Sequence, residues 1–186
     1  MVEEREAEKE EREILKEKEV MGNINAVIKS VKQMFGDEGV DMQIPPYQRP
    51  YRWGYKNVKQ LLEDIATNKN AGKQKYRIGS VILYNKGGAY EIVDGQQRIT
   101  TLLLLAKACG VGNELLGKLE YKHSDSKNNI IENYKYITEW IKEYYPSKRH
   151  EYWQYVEESC EFVVIVVDDL SEAFQMFDSQ NGRGKE

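Results

Sequence analysis

Apolar positions recur along this chain with two periods, and the period changes where the elements change. Ile24, Val27, Ile28, Val31 and Phe35 stand at helical spacing, with Asn23 placed to cap and Gly36 to stop the helix they predict. Val40 to Ile44 alternates apolar and polar residues, as a short strand does, and Pro45 and Pro46 end it. Val58, Leu61, Leu62 and Ile65 mark an amphipathic helix over about 56–67. Residues 76–84 (YRIGSVILY) and 89–93 read as strands around an Asn85-Lys86-Gly87-Gly88 turn, which makes a β-hairpin. The next helix, about Gln96 to Cys109, carries the run Leu102–Leu105 and is too apolar for a surface helix, so it is central. Ile130, Tyr134, Ile137, Ile141 and Tyr144 predict a helix over 129–145, stopped by Pro146, with aromatic-rich helix following over 148–159. Phe162 to Val167 is a β-branched run suited to a buried strand. Asp169 to Glu172 has capping-box spacing and opens a helix through Phe177. These elements predict an α+β domain: a small mixed sheet with a β-hairpin and packed helices.

The first twenty residues break the pattern. They hold nine acids against five bases, for a net charge of −4, and only Ala7, Ile14 and Leu15 are apolar between positions 3 and 19. Pairs such as Glu8/Arg12 suit a solvated helix. Residues 1–22 are therefore expected to be a charged helical extension, and 23–186 the domain proper. The whole chain of 186 residues also carries −4, so the body beyond the extension is neutral. A neutral body gives no bulk attraction to nucleic acid, and any anion site must be local. A mean hydropathy of −0.71 and an opening run of charged residues leave no membrane span and no signal peptide. Cys109 and Cys160 form no CxxC pair and lie far from His123 and His150, which points to core cysteines and a reducing, cytoplasmic setting. The chain stops in the glycine-rich stretch 181–186, an odd place for a domain to end, so a segment of a longer protein is expected.

Familiar catalytic motifs fail. Gly112 to Leu119 nearly spells a phosphate-binding loop, but Leu119 stands where a magnesium-holding hydroxyl belongs and no strand precedes it. The strongest remaining signal is Asp94-Gly95-Gln96-Gln97-Arg98 at a strand-to-helix junction. A helix start presents free N–H groups and partial positive charge, and so favours anions. Gly95 permits a sharp turn, Gln96 and Gln97 add amide donors, and Arg98 adds a bidentate donor suited to phosphate. Asp94 either caps the helix or does chemistry, holding a metal or a water. A second signal is Tyr47-Gln48-Arg49-Pro50-Tyr51-Arg52-Trp53, two arginines among three aromatics, where Arg49 suits a phosphate and an aromatic ring a base. Trp53 reads better as a core residue. The third is Asn181-Gly182-Arg183-Gly184, either a ligand loop or a linker.

Ile44 to Trp53, Tyr90 to Thr101 and Phe177 to Gly184 together, in this order and spacing, resemble the domain-of-unknown-function-262 family, the N-terminal domain of GmrSD-type modification-dependent restriction proteins. The resemblance covers about residues 23–186. It implies a ParB/sulfiredoxin-like α+β fold and a regulatory domain that binds and hydrolyses a nucleoside triphosphate within a phage-defence restriction system. It implies Asp94, Gln97 and Arg98 as catalytic residues, and Tyr47, Arg49, Gly95, Gln96, Asn181 and Arg183 as nucleotide-binding ones. Mg2+ would be held by Asp94. DNA and a nuclease domain or subunit are the implied partners. The chain stops before any nuclease motif, and the extension 1–20 is outside the family pattern. The alternative reading is a non-catalytic sensor of modified DNA, with the same arginines on DNA phosphates and the aromatics holding a modified base.

Overall fold

The structure, a computed structural model, describes residues 25–36, 41–112 and 117–182. The extension 1–22 lies outside them. Five strands form one mixed sheet in the order β1-β5-β3-β4-β2: β1 (Asn25–Ser30), β2 (Met42–Gln43), β3 (Tyr76–Lys86), β4 (Ala89–Asp94) and β5 (Cys160–Val167). β1 is antiparallel to β5, β5 parallel to β3, β3 antiparallel to β4, and β4 parallel to β2. The helices are α1 (Val31–Phe35), α2 (Tyr55–Asn70), α3 (Gln96–Ala108), α4 (Ser124–Tyr144), α5 (Arg149–Ser159) and α6 (Leu170–Gly182). The α+β class and the hairpin are as expected, and the sheet is compatible with the ParB/sulfiredoxin-like type.

One expected element is corrected. The helix read over 24–35 is strand β1 running into the five-residue α1. Its apolar spacing fits a helix, but Asn25 to Ser30 pair residue by residue with Val166 to Glu161 of β5, a partner that local periodicity does not reveal. Ser30 then closes a capping box with Gln33, and Gly36 ends α1. Elsewhere only boundaries move. α4 begins at Ser124, ahead of the expected 129, and α6 runs past Phe177 to Gly182. The Asp169 carboxylate accepts the Glu172 N–H at 2.9 Å, as its capping spacing predicts.

The sheet is covered on both faces. Phe162 and Val164 of β5 point into the main core, where Leu102, Leu103 and Leu105 of α3 meet α2, α4 and α5. The intervening Val163, Ile165 and Val167 point the other way, into a small core closed by Leu170, Ala173, Met176 and Phe177 of α6. This is why β5 reads as a continuous apolar run rather than an alternating one. α3 is buried through Ile99 to Ala106, as its density of leucines predicts, and both cysteines are buried and free. Burial pushes each thiol up to about 12. The sheet edge and α6 thus flank the junction where β4 passes into α3.

Candidate functional site

Gly95 makes that junction. Its φ is +99°, in the left-handed region, and a Cβ there would sit 2.8 Å from Val81 Cγ2. Only glycine satisfies both the turn and the close approach. Gly95 is the N-cap of α3 and offers no side chain, so the first N–H groups of the helix remain open. Asp94 does not cap the helix. Its carboxylate makes no hydrogen bond or ion pair among the described residues.

The loop between β2 and α2 faces this turn and is held in place by side chains. Gln48 Nε2 donates to the Ile92 and Val93 carbonyls at 2.9 Å each, and Gln48 Oε1 accepts from its neighbour Arg49 N. Gln97 Oε1 accepts from Arg52 N at 2.9 Å and Trp53 N at 3.0 Å, while its Nε2 donates to the Pro50 carbonyl at 3.1 Å. From the far side, Ser126 Oγ accepts from Tyr51 N, Asn129 Nδ2 donates to the Tyr51 carbonyl, and Asn133 Nδ2 donates to the Trp53 carbonyl. Tyr51 is fully buried, its hydroxyl between Thr101 and Asn133. Burial raises its pKa, so it stays neutral. A segment without helix or strand is thereby fixed on both sides.

The result is a cleft of about 150 Å³. It is lined by Gln48, Arg49 and Trp53 of the loop, Asp94 to Arg98 of the turn, and Phe177 of α6. Arg49 is stacked over the Phe177 ring, 5.7 Å from its centroid. Arg98 lies against Gly79 of β3, whose missing Cβ would fall 3.2 Å from the guanidinium carbon. Neither guanidinium is paired with a carboxylate among the described residues. The structure thus brings Arg49, Asp94, Gly95, Gln96, Gln97 and Arg98 to one place. Tyr47 is set apart from them. Its ring packs edge-on against Phe174 and its hydroxyl donates to Glu91, itself buried and paired with Lys86. Asn181 lies in the last turn of α6, and Arg183 falls outside the described residues.

Several residues of the site escaped the sequence reading. Gln48 was singled out only through the resemblance, within Tyr47-Gln48-Arg49, and its part in holding the loop was not foreseen. Asn133 and Ser126 are seven apart on the buried face of α4, polar among Ile137, Trp140 and Ile141. Buried polar positions on an apolar helical face were the available signal, since such groups need a partner. Phe177 belongs to the element that is furthest along the chain.

Among known families, the model of the GmrSD restriction endonuclease N-terminal domain matches residues 31–186. This chain belongs to that family. The GmrSD N-terminal domain is part of a restriction protein. No curated protein matches the chain. Among the described residues, no helix is long and apolar enough to cross a membrane.

Proposed function

We propose that this GmrSD N-terminal domain binds a nucleoside triphosphate in the cleft and hydrolyses it, as the regulatory part of a phage-defence restriction protein. The observation that carries the reading is a cleft at the open N-terminus of α3 lined by two arginines and one carboxylate that have no ion-pair partners among the described residues. Phosphate oxygens would take the N–H groups of the first α3 turn and the guanidinium groups of Arg49 and Arg98. Each charge-assisted contact is worth about 1.5–3 kcal/mol. Three of them suffice for micromolar affinity, about −8 kcal/mol, before ordering costs.

Among the described residues, Asp94 is the only carboxylate lining the cleft, and no group of three carboxylates, histidines or cysteines could chelate a metal. That fits Mg2+, which is held by one or two carboxylates together with substrate phosphates. Asp94 would hold it, and the ion would supply charge neutralisation to the phosphates. Asp94 also stands where it can orient a water and accept its proton. Gln97 acts by position, since both ends of its amide hold the loop that carries Arg49. DNA and a nuclease domain or subunit are the partners this reading gives the whole protein.

The test is phosphate release from each of the four nucleoside triphosphates with Mg2+. Asp94→Asn keeps shape and removes the charge. It should abolish release and leave nucleotide binding within about 10-fold. Release at the wild-type rate by this variant would remove Asp94 from catalysis. Failure of the wild-type chain to bind any of the four would overturn the reading.

A further inference from the structure

A second cavity, of about 170 Å³, adjoins the first and shares Gln48, Arg49 and Gln96 with it. We infer that it receives the nucleobase of the bound nucleotide and that Gln96 reads the base edge; this rests on the nucleotide reading of the first cleft. Gln96 is the first residue of α3 and only 4% exposed, yet its Oε1 has no hydrogen-bond partner among the described residues. Nearly all buried polar groups are paired, and an unpaired one in a native fold points to a missing partner. A carboxamide sets an acceptor and a donor side by side, the pairing that a purine or pyrimidine edge offers in return.

The rest of the cavity suits a flat, mostly apolar ring. Pro45, Pro46 and Pro50 provide apolar surface, and Tyr121 and His123 stand opposite the loop. Tyr121 is fixed by a 2.9 Å hydrogen bond between its hydroxyl and Thr100, and burial holds that hydroxyl neutral. Lys122 and Glu120 bring opposite charges to the lining, and Arg49, shared with the first cleft, stands at the border between the two. One ligand with an anionic end and a planar end spans both, with Gln96 between.

The probes are MgATP, MgGTP, MgCTP, MgUTP and Mg tripolyphosphate, titrated calorimetrically into the chain. Wild type should bind the preferred nucleotide at least about 10-fold more tightly than tripolyphosphate. Gln96→Leu should remove that advantage, leave tripolyphosphate affinity unchanged, and keep or raise Tm, because it deletes an unpaired buried amide. His123→Trp enlarges a residue that lines the cavity; His123 is exposed and its side chain makes no cap hydrogen bond, so this variant tests the site even if Gln96→Leu fails to fold. It should weaken nucleotide alone by a similar factor. Equal loss of both probes, or equal wild-type affinity for nucleotide and tripolyphosphate, would overturn the base subsite and leave the phosphate cleft standing. Absence of wild-type binding to every probe would overturn both.

Discussion

Arg98 is the residue whose position is hardest to explain by stability alone. It stands third in α3, in a first turn that contains no acid. A cation there opposes the helix dipole, by about 0.3 kcal/mol or more. Its guanidinium has no carboxylate among the described residues to offset this; it lies against Gly79, and Arg98 lines the cleft. An anionic ligand would remove the conflict. Arg98→Ala is therefore expected to weaken nucleotide binding about 10–100-fold, from the loss of about 1.5–3 kcal/mol, with little change in Tm. Calorimetric titration beside a thermal melt measures both. A large fall in Tm without ligand would instead assign Arg98 to the fold. Gln97, one position earlier, carries the opposite expectation. Its amide serves three backbone groups of the loop, and Gln97→Ala leaves Arg52 N, Trp53 N and the Pro50 carbonyl without it. Stability should fall by about 1–3 kcal/mol, or about 2–4 °C of Tm per kcal/mol, and binding should weaken with it because Arg49 loses its support.

At the scale of elements, what was legible follows from which forces are local. The β3–β4 hairpin and the start of α3 announce themselves through glycines and a change of period, and both fall where expected. Asp169 names the start of α6 through a cap that acts over three residues. β1 did not show, because Ile24 to Phe35 satisfies a helical period and its true partner is β5, more than a hundred residues away. The site divides in the same way. Asp94 to Arg98 was visible as a junction rich in donors, and Arg49 as a cation on a stiff loop. The division of labour between the two glutamines was not visible. Gln96 faces the cavities and Gln97 holds the loop, which depends on carbonyls and N–H groups far off in sequence. The loop-holding roles of Gln48, Asn129 and Asn133 were missed for that reason too.

For the molecule as a whole, the core sets a boundary on the alkaline side. Cys109 and Cys160 are raised from 9.0 to about 12 by burial, and burial also raises Tyr51, Tyr121 and Tyr152. A raised folded pKa means that the unfolded chain loses these protons first. Their contribution is complete below the unfolded values and is lost as pH rises above them. Stability should thus be insensitive to these groups below about pH 9 and fall above it, by up to about 1.4 kcal/mol per pH unit for each thiol. Urea unfolding at a series of pH values from about 8 to 11 measures the slope. A flat profile across that range would mean that the thiols titrate freely in the folded protein.

The amide ties on the 47–53 loop also decide when the cleft can come into existence. Their partners lie between 44 and 82 residues further along the chain, on β4, α3 and α4. Contacts of that separation are made only after the intervening chain has been closed into place. During synthesis the loop emerges first and waits for three later elements, so Arg49 cannot meet Arg98 in a half-made domain. The cleft is therefore complete only once α4 and then α6, which brings Phe177, have docked, and a chain interrupted before α4 would carry Arg49 and Arg98 without the cleft between them.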